Sequence, residues 1–133
     1  DLLIKTLNDI ESGTAPRIPQ NDEDASVVHM LDKSICPIDF TATSRQVIKK
    51  IYGLQPWPVA VADIGGNDLK IFKAEYTGHQ FDKTPGTVVS ADNCGIEIVC
   101  GDGMSILITE VQASGKKRMP ASDYLRGHPL EVL

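Results

Sequence analysis

A chain of 133 residues, 41% of them apolar, is long enough for one ordinary domain with a short appendage and too apolar to be disordered over most of its length. Its net charge of -5 excludes a wholesale polyanion binder, so any contact with nucleic acid must come from a local patch. The acid is concentrated at the front, where residues 1 to 35 hold three cations against seven carboxylates, leaving the remainder close to neutral.

Residues 2 to 11 predict a helix, because Leu3, Leu7 and Ile10 recur at the spacing that lines one helical face, and Gly13 stops it. A helix this short is marginal by itself. It is expected to be the last helix (residues 1–13) of a preceding domain, and the start at Asp1-Leu2-Leu3, without an initiator Met, reads as a piece of a longer chain. Residues 14–36 read as a linker: two prolines, no apolar period and the acidic run Asp22-Glu23-Asp24 favour an extended chain. Within it, Val27, Val28, Met30 and Leu31 suggest a lone strand or an arm.

The second domain is expected over residues 37–133. Thr43 is a plausible N-cap, followed by Val47, Ile48, Ile51 and Leu54 on one helical face, with Gly53 as the C-cap. Pro56 and Pro58 lack donors and fix φ, so the chain must leave extended. Trp57 between them is expected to be a buried corner anchor. Five strand-like segments follow, at 59–64, 69–77, 87–91, 96–100 and 105–112, separated by turns rich in Gly, Asn and Asp. A helix before and after five short strands predicts a mostly β fold, a small antiparallel barrel or partly open sandwich. Pro120 is placed to open the last short helix and Gly127 to close it.

Candidate chemistry is sparse. His29, His79 and His128 fall in the arm, a loop and the tail, with no neighbouring ligand or triad pattern, and the carboxylates offer no acid/base pair by spacing. The Gly101-Asp102-Gly103 turn joins two strands and reads as a plain hairpin turn, not a phosphate loop at a helix N-terminus. Cys36, Cys94 and Cys100 match no metal or redox spacing and read as reduced thiols of a cytoplasmic protein. No apolar run reaches the roughly 18 residues of a membrane span, and no signal-peptide pattern is present.

The basic residues are the remaining candidates. Lys116, Lys117 and Arg118 form the only cationic triplet, in a loop after Ser114-Gly115; Arg45, Lys49 and Lys50 lie on the first helix of the domain, and Lys70 and Lys73 on one strand. These could converge as a phosphate-binding face or remain merely solvated. Tyr52, Phe72, Tyr76, Phe81 and Tyr124 have no spacing like a base-stacking platform, so sequence-specific single-strand binding is not expected.

A series of short motifs carries a resemblance. Ile38-Asp39-Phe40, Tyr52-Gly53-Leu54-Gln55-Pro56-Trp57-Pro58, Leu69-Lys70-Ile71, Pro85-Gly86-Thr87-Val88, Gly101-Asp102-Gly103, Gly115-Lys116-Lys117-Arg118-Met119 and Tyr124-Leu125-Arg126-Gly127 resemble, in order and spacing, the C-terminal part of the methionyl-tRNA formyltransferases. The resemblance implies a parent enzyme that moves a formyl group from 10-formyltetrahydrofolate to the amino group of methionine on initiator tRNA. Its catalytic residues and folate pocket would lie in an N-terminal domain this chain lacks, so the chain alone should be inactive. It also implies an OB-like accessory domain whose basic face holds tRNA by its backbone, with Lys116, Lys117 and Arg118 matching the family's Lys-Lys-Arg loop. Alternatives are a related formyltransferase, or a formylfolate hydrolase or dehydrogenase, that does not use tRNA, and a purely structural interdomain scaffold. The chain departs from the family where Arg, Asn and Gly are usual, with Tyr52, Gln55 and Val59, and in the arm, where Val27-Val28-His29-Met30 replaces Tyr-Ala-x-Lys. Fewer cations imply weak autonomous affinity for tRNA.

Overall fold

A computed structural model describes residues 1–28 and 30–133, so His29 lies outside the described residues. The chain divides into two units, Asp1–Met30 and Leu31–Leu133, with the division inside the expected linker.

In the first unit, α1 (Leu2–Glu11) forms where the apolar spacing places it, and Gly13, at φ +73°, ends it in the left-handed region that glycine tolerates. α1 buries none of its residues; Leu3, Leu7 and Ile10 are all exposed. Two 3-10 turns, Asp22–Asp24 and, past the division, Lys33–Ile35, interrupt the linker. The expected strand near Val27 and Val28 does not form: both side chains are exposed and no ladder partner is present among the described residues.

The second unit contains α2 (Ser44–Gly53), then β1 (Ala60–Ile64), β2 (Asn67–Gln80), β3 (Val88–Asp92), β4 (Gly95–Val99), β5 (Met104–Ala113), β6 (Met119–Pro120) and α3 (Ala121–Leu125). The strands form one antiparallel sheet in the order β1-β2-β5-β4-β3, and β6 pairs with β5 beyond the end of β4. The expected mostly β, barrel-like fold is present as an antiparallel sheet of six strands, left open because β1 and β3 stay unpaired with one another. Pro37 extends the β1 edge by one parallel bridge to Val61. β6 was invisible to pattern reading because two residues, one a proline, carry no period.

The core is aliphatic: Val47, Ile51, Leu69, Ile71, Ile96, Ile98, Ile106 and Ile108 are all buried. α2 packs on β2 and β5, and α3 on β3, β4 and β5. The start of α2 is closed by a capping box, in which Thr43 Oγ1 accepts from the Gln46 N–H at 3.3 Å and Gln46 Oε1 accepts from the Thr43 N–H at 3.0 Å. Gly53 is the last helical residue and Leu54 the cap, so the glycine does not supply the expected left-handed stop. Pro120 likewise stands just outside α3 as its N-cap, and Arg126 rather than Gly127 is the C-cap.

The Gly101-Asp102-Gly103 turn departs from expectation. It does meet a helix N-terminus: Asp102 Oδ2 accepts from the Ser44 N–H at 3.0 Å and from the Ser44 hydroxyl at 2.8 Å. The anion position at the start of α2 is therefore filled by the protein's own carboxylate. Gly101 is required for this approach, since a Cβ there would overlap the Thr41 carbonyl oxygen. Sequence separation hid the contact, which spans 58 positions.

Candidate nucleic-acid interface

In a regular strand Lys70 and Lys73 would point to opposite faces, because side chains alternate. Two irregularities in the β2–β5 ladder change this. Ile71 pairs with Val111 and Lys73 with Glu110, leaving Phe72 without a partner, and Ala74 then pairs with Ile108, skipping Thr109. Ile71 and Ala74 are both buried as a result, while Lys70 and Lys73 are exposed and Phe72 is half-buried. Both lysines therefore stand clear of the core with one aromatic ring between them in sequence.

Arg118 completes this surface. Its guanidinium carbon lies 4.4 Å from the centroid of Phe72, and its Nε and Nη2 donate to Glu110 at 2.5 and 2.6 Å. The hydrogen bonds from Arg118 hold the Glu110 carboxyl below its ordinary value, with smaller help from the charges of Arg118 and Lys73. The same bonds raise Arg118. Arg118 is thus neutralised locally, and the loop's exposed, unbridged cations are Lys116 and Lys117. The loop is shaped by Gln112, whose side-chain amide donates to the Lys116 carbonyl at 2.7 Å.

Three adjoining hollows run along this surface. One of about 580 Å³ is walled by Trp57, Phe72 and Lys70 among others. It shares Val61, Lys70 and Gln112 with a second of about 290 Å³, which shares Asp68, Ala113 and Ser114 with a third of about 480 Å³. The third is lined by Lys116, Tyr124 and His128, together with the carboxylates Asp68 and Asp123. Lys70 and Lys116 thus stand along one connected trough.

The α2 cations are placed differently. Arg45 and Lys49 are exposed, and neither bonds to the β2–β5 surface nor lines its trough. Lys50 donates to the Pro37 carbonyl at 2.6 Å and ties the approach segment to the helix. Beyond Ile71, β2 has no β1 partner, and the end of α2 takes over: the Tyr52 hydroxyl donates to the Ala74 carbonyl at 3.0 Å and the Gln55 amide to the Phe72 carbonyl at 2.7 Å. Tyr52 and Gln55, two departures from the resembled family, thus satisfy an exposed strand edge.

Trp57 is 57% exposed, which overturns the expected buried anchor. The two prolines dictate the corner, but the indole points away from the core and into the wall of the largest of the three hollows. His79 belongs to β2 rather than to a loop, and its Nδ1 lies 2.8 Å from Glu97 Oε1, which also accepts from the buried Ser105 hydroxyl at 2.5 Å. Here the carboxylate stands between serine and histidine, so the imidazole is not bonded to the hydroxyl it would have to deprotonate. Sequence spacing gave no sign of this cluster, whose members sit on three strands. His128 stacks on Tyr124 with centroids 4.3 Å apart.

The family profile described as "Formyl transferase, C-terminal domain" matches residues 30–129. Among similar curated proteins, the methionyl-tRNA formyltransferase of Clostridium novyi is 36% identical over 132 residues, covering 99% of this chain and 42% of its own length. That of Methylacidiphilum infernorum is 40% identical over 135 residues, covering 98% of this chain and 42% of its own. The chain therefore spans less than half the length of these relatives. Among solved structures, HypX from Aquifex aeolicus in complex with tetrahydrofolic acid superposes with a TM-score of 0.67 at 18% identity, covering 98% of this chain and 23% of HypX. That likeness bears on the fold.

Proposed function

The chain belongs to the family of formyl transferase C-terminal domains, and from that premise we propose that it is the tRNA-docking accessory part of a cytoplasmic methionyl-tRNA formyltransferase. In this reading the parent protein transfers the formyl group of 10-formyltetrahydrofolate to the methionyl amine of initiator tRNA, in a catalytic domain of which α1 is the last helix. The 133 residues bind and do not catalyse. The observation that carries the reading is the double irregularity of β2 and β5, which brings Lys70 and Lys73 out on the strand that walls the trough reaching Lys116.

Phosphate contact falls to Lys70, Lys73, Lys116 and Lys117, whose ammonium groups are exposed and unbridged among the described residues. Arg45 and Lys49 add positive potential from the exposed side of α2. Lys50 and Arg118 act by position, one fastening Pro37 and the other bracing Phe72 against Glu110. Asp68 and Asp123, which line the trough, keep the affinity low, and the phosphate contacts make it salt-dependent.

The test is tRNA binding as a function of salt. The intact chain should lose affinity linearly on a log-log plot, and Lys70→Ala/Lys73→Ala/Lys116→Ala/Lys117→Ala should weaken binding by roughly tenfold or more at low salt and flatten the slope. A salt-independent affinity, or no change in the quadruple variant, would overturn the docking role. Formyl transfer by the 133 residues alone should be undetectable, and turnover in a preparation free of any longer enzyme would refute the division of labour.

A further inference from the structure

We propose that the hollow beside Trp57 is a binding site for one unpaired nucleobase of a structured RNA, with the indole as the stacking surface and Lys33 and Lys70 as contacts for the flanking phosphates. This inference rests on the tRNA-docking reading and adds to it a point of base contact.

Four observations converge on the site. Trp57 is the only tryptophan of the chain, yet more than half of its surface is open, whereas tryptophan is highly buried on average. It is not exposed on a loose loop: Pro56 and Pro58 fix the backbone on both sides, and buried Val59 follows at φ +71°, a conformation that a β-branched residue adopts only under strain. Strain of this kind persists where the surroundings hold it, and it clusters at ligand sites. An aromatic side chain with two rotatable bonds on a fixed backbone loses little entropy on stacking.

The walls supply the second half of the chemistry. The hollow of about 580 Å³ is lined by Phe72 and by two lysines, Lys33 and Lys70, and by no carboxylate. An apolar protein segment would have to desolvate both ammonium groups without pairing them, which is unfavourable. A planar aromatic ligand that carries anionic groups on either side satisfies ring and cations together, and a nucleotide within an RNA strand is such a ligand. Phe72 is braced by the Arg118 guanidinium, which lies over its ring, so that part of the lining is stiff. The continuation of the hollow past Lys70 and Gln112 gives the strand a path toward Lys116. A single stacking position of this sort anchors one base and reads no sequence along a strand.

The sole tryptophan makes the test direct. An unmodified tRNA transcript titrated into the 133-residue chain at low salt should quench Trp57 emission by about half or more. Trp57→Phe should bind within about twofold of the parent, and Trp57→Ala should bind roughly tenfold more weakly while melting at nearly the same temperature. Inorganic polyphosphate, which carries charge and no base, should bind both equally and leave the emission unchanged. If tRNA binds with the expected salt dependence but without quenching, and Trp57→Ala binds as well as the parent, base stacking is wrong and electrostatic docking stands. If tRNA does not bind at any salt concentration, both fall. If acrylamide reaches Trp57 no better than a buried indole before RNA is added, the hollow is covered by protein and the proposal is overturned.

Discussion

α1 and α2 are both ten-residue helices with apolar residues spaced along one side, yet α1 buries none of its residues and α2 buries Ser44, Val47, Ile48 and Ile51. The ends differ as well. α1 has no side-chain cap at Asp1, while α2 begins in a capping box and has Asp102 hydrogen-bonded at its first turn. Periodicity therefore specifies a helix and the direction it faces, whereas a partner surface decides how much that face stabilises.

The largest effect should separate the two helices. Ile51→Ala removes a fully buried side chain from the aliphatic core and should cost about 2 to 5 kcal/mol in a chemical melt. Leu7→Ala, at an exposed position of α1, should change the same transition by less than about 0.5 kcal/mol. Comparable losses would mean that α1 is packed in solution. In that event the contrast between the two units disappears.

Smaller effects should come from the ends of α2. Thr43→Ala breaks one arm of the capping box and should cost about 1 kcal/mol. Asp102 adds a pH signature: burial pushes its carboxyl up, but hydrogen bonds from the Ser44 hydroxyl and N–H and from the Met104 N–H outweigh this and hold it below its ordinary value of 3.8. A carboxyl depressed in the folded state stabilises the fold above its unfolded value, and that contribution is lost as pH falls below 3.8 toward the folded value. Asp102→Asn should flatten that part of the acid limb of a stability profile. An unchanged limb would show that Ser44 and Asp102 do not pair in solution.

The same contrast explains what could be read before folding. α1, α2, the five longer strands and most of the core were legible because each follows a local period or an explicit turn. Asp102 at Ser44, the Glu97 cluster and the Arg118–Glu110 pair were not, since each joins residues that only the sheet brings together. The outward turn of Lys70 and Lys73 was hidden for a related reason, because alternation assigns them to opposite faces until Phe72 is left unpaired. For Trp57 the residue type argues for burial, but the two flanking prolines constrain only the backbone. Motif order carried the family, and strand register decided which of its cations are free.

The finest distinction concerns two valines of similar burial. Val47 sits in α2 at 2% exposure and Val59 follows Trp57-Pro58 at 5%. At Val47 a helical backbone suits every residue but glycine and proline, so Val47→Gly should destabilise by about 1 kcal/mol more than Val47→Ala. At Val59, φ is +71°, where any residue with a Cβ is strained and glycine is not. Alanine there would keep the strain and lose the buried methyl groups, while glycine would lose the methyl groups and shed the strain. Val59→Gly should therefore be the more stable of the two Val59 variants, by roughly 1 kcal/mol, reversing the order at Val47. Parallel urea melts of the four variants decide the matter. The same order at both sites would mean that the Trp57 corner relaxes in solution, and the stiff aromatic surface inferred for RNA would lose its foundation.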